Sequence, residues 1–313
     1  MKIGFAGTPA MAIPSLDALR KDHEVKFVLT QAPAPTGRKR VLTPSAIQTY
    51  AEELGIPVLT PNRLKDNLEI HELLSELELD AIAVVAYGKL IPESLLSIPK
   101  YGWLNLHFSK LPKWRGASPV QGAMAAGDYE SGVTVFQIEK GLDTGPIHLQ
   151  RDFILDLTAS SGEMLTELSF FGAEVFAESF QRLANAEDTF VTQVGEPSFS
   201  GLLTTKISQV NWTESAQTIR NKVNAYTPEP GSWTILDGTR IKLGKVQASP
   251  ENHPEIQAGA IKLVDKEVHI GTGAGTIVLS TVVPAGKKEM TAVDWFRGIG
   301  NSSLIFNLGM ENE

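Results

Sequence analysis

The run Asp80-Ala81-Ile82-Ala83-Val84-Val85-Ala86 constrains the fold of this chain more than any other stretch. It is apolar without alternation, as a strand is when both its faces are covered, and that is the condition of a parallel sheet flanked by helices. Lys2 to Ala6 reads as a second such strand, and Gly7-Thr8-Pro9-Ala10 turns it into a helical pattern that runs to Lys21. Strand, turn and helix open a βαβ unit, so the predicted class is α/β. A dinucleotide site of the nicotinamide type would need G-x-G-x-x-G at this turn, where only Gly4 and Gly7 are found.

Further elements follow at the spacing of such a domain. Strands are predicted from Glu24 to Thr30 and from Pro57 to Leu59, and helices over 44–54 and 64–77. Gly132 to Glu139 alternates as a strand, with an antiparallel continuation over 146–155. Ser160 and Glu163 have capping-box spacing ahead of a helix whose face is Leu165, Leu168, Phe171 and Val175.

At 313 residues the chain is longer than one ordinary core requires. The stretch 186–206 is polar, carries Gly195-Glu196-Pro197 and Ser200-Gly201, and reads as a linker. Beyond it, five short strands (233–236, 240–246, 260–264, 267–271 and 275–282) with glycine turns predict a small OB-like β-barrel. The expected domains are therefore 1–185, a linker over 186–206, and 207–313.

Composition narrows the function classes. With no cysteine, disulfides, thiolate nucleophiles and thiolate metal sites are excluded, and six scattered histidines without ligand-spaced partners predict no metal site. A net charge of -8 argues against a chain coated in cations for indiscriminate nucleic-acid binding. Residues 207–313 hold 10 Lys+Arg against 11 Asp+Glu, so the excess negative charge lies in the front part, with 18 against 25. No signal peptide or membrane span is read, and a cytoplasmic protein that acts as a monomer is expected.

The candidate site is the stretch Trp103 to Gly122. On a strand, Asn105 and His107 point to the same face. Phe108-Ser109-Lys110-Leu111-Pro112 then opens a shaped loop that ends in the turn Arg115-Gly116. Open α/β sheets bind ligands outside the carboxyl ends of their strands, which is where this loop would lie. Gly141-Leu142-Asp143-Thr144-Gly145 adds a carboxylate in a glycine-bounded loop. An amide, an imidazole and a carboxylate together suggest acyl transfer to an amine. Each residue taken singly is as well explained by turn and strand chemistry. A basic run, Arg38-Lys39-Arg40, sits in a long loop over 31–44 without apolar period, either solvated or paired with phosphate.

Asn105 through Gly116, followed by Gly141-Leu142-Asp143-Thr144-Gly145, closely resembles the folate-dependent formyltransferases, and within them the branch that acts on methionyl-tRNA. The resemblance spans nearly the whole chain, most strongly to Gly145. It implies a Rossmann-like formyltransferase domain, a C-terminal OB-like domain that binds tRNA, and formyl transfer from 10-formyltetrahydrofolate to initiator methionyl-tRNA. It further implies that Asn105, His107 and Asp143 are catalytic. Tyr87, Ser109, Lys110, Leu111 and Pro112 would contact folate, and Arg38, Lys39 and Arg40 tRNA. The chain departs from the family pattern at Lys110, where leucine is usual, and at Pro33-Ala34, where Asp-Arg is common.

Overall fold

In the computed structural model, residues 1–37, 40–251, 253–300 and 304–308 are described. Residues Met1–Gly116, Gly132–Phe153 and Leu165–Phe199 form one compact unit. Ala117–Ser131, Ile154–Met164 and the described residues from Ser200 onward form a second.

The first unit is built on seven strands: β1 Lys2–Gly7, β2 Glu24–Leu29, β3 Val58–Leu59, β4 Ala81–Val85, β5 Trp103–His107, β6 Glu130–Gln137 and β7 Ile147–Ile154. Their order across the sheet is β7-β6-β5-β4-β1-β2-β3. Neighbours from β3 to β5 run parallel, and β6 runs antiparallel to β5, with Asn105 opposite Phe136 and His107 opposite Thr134. Every residue of β4 is buried, as its unbroken apolar run requires. Helices α1 Ile13–Leu19, α2 Ala46–Glu53 and α3 Leu68–Glu76 lie close to the predicted segments. α2 and α3 begin at caps that the sequence carries, Ser45 accepting from the Gln48 amide and Asn67 from the Ile70 amide.

The stretch 31–44 contains a small antiparallel hairpin, Ala34–Thr36 on Val41–Thr43. All six of its residues are exposed. Without a buried face there is no period to read, which is why only a loop was expected. Arg38 and Lys39 lie outside the described residues; Arg40 is exposed, at φ 50°.

Pro119–Ala126 (α4) and Ala216–Ala225 (α6) belong to the second unit, where they pack together; Ser161–Ala184 is α5. At the end of α4, Gly127 takes φ 77°, and a Cβ there would stand 2.7 Å from the Asn221 amide nitrogen. The Ser160–Glu163 capping box is present in full. The Ser160 amide donates to Glu163 at 2.7 Å and the Glu163 amide to Ser160 Oγ at 3.3 Å. These Ser160 bonds, with Lys245 beyond them, hold the Glu163 carboxyl down to about 2.

The barrel strands are β8 Trp233–Leu236, β9 Thr239–Leu243, β10 Val246–Ala248, β11 Ile261–Val264, β12 Glu267–Gly271, β13 Thr276–Leu279, β14 Thr281–Pro284 and β15 Met290–Thr291. They form two four-stranded sheets, β8-β9-β14-β15 and β10-β13-β12-β11. Two predicted strands are each bent and pass from one sheet to the other, at Gly244 between β9 and β10 and at Ser280 between β13 and β14. A Cβ on Gly244 would be 2.1 Å from Thr281 Oγ1, so the corner needs glycine. Strands that switch sheets in this way close a small barrel from five runs of sequence. Its core includes Trp212, whose ring stacks on Phe306 at 5.2 Å and whose indole N–H donates to Thr234 Oγ1 at 2.9 Å.

Candidate active site

The crevice is set by chain direction. From β1 the connections run outward to β2 and β3 on one side and to β4 and β5 on the other, so the loops after β1 and β4 diverge at a topological switch point. Thr8, just past β1, donates to the Tyr87 carbonyl at 2.8 Å, and Gln31, just past β2, donates to the same oxygen at 3.0 Å. Ala86 takes φ 48° and Gly88 φ 78°, and a Cβ on Gly88 would stand 2.6 Å from the Gln31 amide nitrogen. This close-set backbone is a cradle that a side chain would fill. The Tyr87 ring points elsewhere. It is 2% exposed within the apolar cluster of Phe27, Leu29, Ile82 and Trp103, and its hydroxyl is buried without a partner. Burial pushes that phenol up to about 12.

At the end of β5, Asn105 is partly buried and His107 is 5% exposed. The His107 ring is fixed on two sides. Nε2 lies 3.0 Å from the Trp114 carbonyl, so that nitrogen carries a hydrogen, and the ring meets Phe136 edge-on at 6.2 Å. Nδ1 then faces Asp143 Oδ2 at 3.8 Å. That oxygen also accepts the Gly116 amide at 2.7 Å. Burial dominates His107 and pushes its imidazole below the ordinary range, while Asp143 first and the Trp114 carbonyl second pull it back up. Residue types alone, an imidazole beside a carboxylate, give a pKa raised by Asp143. Asp143 does act in that direction, but desolvation outweighs it, and exclusion from water is a property of the packed unit.

The loop after His107 is held by its own polar groups. Ser109 is fully buried; its Oγ donates to the Lys113 carbonyl at 2.6 Å and its carbonyl accepts from Thr134 Oγ1 at 2.7 Å. Gln150 donates to the Leu111 carbonyl at 3.0 Å and to Thr134 Oγ1 at 2.9 Å. Leu111 and Pro112 are buried. Lys110 turns outward, its ammonium 2.6 Å from Asp152, with both side chains largely exposed. Asn105, His107 and Asp143 thus share one strand end with Ser109, Leu111 and Pro112. The Tyr87 ring and the Lys110 ammonium point away from that place.

Trp114 and Asp143 both take left-handed backbone, φ 61° and 51°. Strain in non-glycine residues is held only where surrounding bonds over-determine it. Those bonds come from the stretch read as a linker. Ser198 Oγ accepts the Trp114 amide at 2.9 Å and the Ser198 carbonyl accepts the Arg115 amide at 2.9 Å. Gln193 bonds both to Arg115 and to the loop of Asp143. Aperiodic polar sequence carries no signal for such a role. Val191 bridging Ile147 by two backbone bonds is likewise invisible before the sheet is assembled.

An amide, a buried imidazole and a carboxylate at the carboxyl edge of a parallel sheet can polarise a carbonyl and manage the proton of an attacking amine, the chemistry that group transfer needs. The formyl transferase family model matches residues 1–179, and the model of the formyl transferase C-terminal domain matches 203–300. The methionyl-tRNA formyltransferase of Pseudarthrobacter chlorophenolicus is 44% identical over 302 residues, covering 96% of this chain and 98% of the relative. Among solved structures, an N-formyltransferase from Helicobacter canadensis in complex with folinic acid and dTDP-3-aminofucose aligns with a TM-score of 0.68. It is 21% identical over 89% of this chain and 98% of that one. Methionyl-tRNA formyltransferase from Clostridium thermocellum aligns at 0.57, with 17% identity over 80% and 94%. The chain belongs to the formyl transferase family.

Proposed function

We infer that this chain transfers the formyl group of 10-formyltetrahydrofolate to the α-amino group of methionine carried on initiator tRNA, acting in the cytoplasm as a monomer. The observation that carries the chemistry is the strand end itself, with Asn105 and His107 on one face of β5 and Asp143 3.8 Å from the imidazole. The acceptor is supported by the name of the P. chlorophenolicus relative, matched along almost its whole length.

10-Formyltetrahydrofolate brings a carbon already at the acyl oxidation level, so no redox step is required. The cradle after β1 and β4, with the loop Ser109 to Pro112, fits a flat heterocycle that reads backbone groups; Lys110 and Tyr87 contribute through main chain. Asn105 donates its amide N–H to the formyl oxygen as negative charge gathers there. His107 adds a second donor when a proton occupies Nδ1, a charged form that the Asp143 carboxylate favours from 3.8 Å. The attacking amine must be neutral and sheds a proton as its bond to carbon forms. Asp143 takes that proton through a water, and as the bond between the formyl carbon and N10 breaks the proton passes to N10 of the departing tetrahydrofolate. Arg38, Lys39 and Arg40, in the sequence stretch 31–44, meet tRNA phosphates, and that contribution weakens as salt rises.

The test is formyl transfer from 10-formyltetrahydrofolate to charged initiator and elongator Met-tRNA, beside an Asn105→Ala control. Fast formylation of the initiator, lost in the control, supports the reading. Release of formate, or formylation of a sugar nucleotide in place of either tRNA, overturns the acceptor.

A further inference from the structure

Gln193 is partly buried between exposed neighbours, in a stretch with no helix or long strand of its own. Its amide is used on both sides. Oε1 accepts from Arg115 Nη2 at 2.7 Å and from Arg115 Nε at 3.2 Å. Nε2 donates to the Asp143 carbonyl and to the Gly145 carbonyl, each at 2.8 Å. Two acceptor and two donor sites are all that a glutamine amide possesses, so the side chain is saturated.

The two loops it joins are the two that make the site. One carries Trp114, whose carbonyl fixes the His107 ring, and Gly116, whose amide binds the Asp143 carboxylate. The other carries Asp143 in left-handed backbone. Gly145 in that loop has no room for a Cβ, which would meet the Gln137 carbonyl oxygen at 1.8 Å. A strained, tightly packed turn of this kind keeps its conformation only while its carbonyls stay bound. The two carbonyls that Gln193 binds belong to Asp143 itself and to Gly145.

We propose that Gln193 is a positioning residue: by cross-linking Arg115 to the carbonyls of Asp143 and Gly145, it holds the Asp143 carboxylate against His107. It touches no reacting atom. The inference rests on the catalytic reading of Asn105, His107 and Asp143 given above. The chemistry demands an amide, because a carboxylate of the same length keeps the Arg115 contact but turns an acceptor toward two carbonyl oxygens, and a thioether has neither half.

Gln193→Glu and Gln193→Met, compared with wild type in the full chain, test this. In formyl transfer, both variants lower kcat about 10- to 100-fold, the cost of a catalytic group set out of register. KM for either substrate stays within about threefold, because substrate contacts are untouched. Independently of activity, NMR titration of the histidine rings shows the His107 midpoint moved to lower pH in the neutral variant Gln193→Met, since the carboxylate that favours its charged form is less closely held. The amide spectrum away from the two loops stays as in wild type and reports an intact fold. Wild-type kcat together with a wild-type His107 midpoint in Gln193→Met overturns the proposal. A wild-type protein that transfers no formyl group overturns the functional reading instead, and the His107 midpoints still decide the role of Gln193.

Discussion

His107 and His148 are two buried imidazoles in the same unit, 5% and 8% exposed, and their surroundings differ in one respect. The His148 ring nitrogens meet Ser179 Oγ at 2.7 Å and the Glu187 carbonyl at 2.9 Å, both neutral groups, and the ring packs on Phe190 at 4.9 Å. It is a strand residue whose hydrogen bonds are complete. His107 has one neutral partner, and its other nitrogen looks at a carboxylate across 3.8 Å, longer than a hydrogen bond. Burial without charge gives structure. Burial with a nearby carboxylate gives a ring that can take up a proton and have it stabilised.

Asp143→Asn breaks that difference most directly, because it leaves His107 among neutral partners only. The expected loss in kcat is about 10² to 10⁴, the range of a lost acid-base group. The pH profile carries a sign. Asp143 favours the charged imidazole, so without it the His107 midpoint falls further below the ordinary value, and any limb of the rate profile due to His107 moves to lower pH. A limb that stays in place assigns it to another group. Asn105→Ala removes the proposed oxyanion donor and leaves the His107–Asp143 pair in place. The expectation is a loss of about 10² to 10³ in kcat with an unshifted pH profile.

His148→Phe sharpens the comparison from the other side. It strands the Ser179 hydroxyl and the Glu187 carbonyl, so urea unfolding should show a loss of about 1–3 kcal/mol. kcat stays within about twofold of wild type; a larger fall would make His148 part of the site. Lys110→Leu is the smallest effect. Its partner Asp152 is 73% exposed, and breaking a solvated pair of this kind changes stability by less than about 1 kcal/mol. A raised KM for 10-formyltetrahydrofolate in this variant would show that the ammonium, and not only the backbone at 110, reads the folate.

The elements that were legible in sequence are those whose cause is local. β4 announces itself because a strand buried on both faces must be apolar throughout, and α2, α3 and α5 begin at the caps that Ser45, Asn67 and Ser160 supply. The five barrel strands were legible for the same reason, since alternation and glycine turns are chain-neighbour patterns. That Asn105 and His107 share a face follows from the two-residue period of a strand.

What the sequence determined by itself, then, was the α/β class, the barrel, and an amide and imidazole side by side at a strand end. Tertiary structure alone decided how far Asp143 stands from His107, that desolvation outweighs its charge, that the Tyr87 ring enters the core, and that Gln193 spans two loops. Each of these depends on residues far apart in the chain meeting in space. Gln193 bonds to Arg115, 78 positions away, and to Asp143, 50 positions away. Local propensity acts over a few residues, whereas burial and hydrogen-bond partnership are set only when the whole sheet has closed around them.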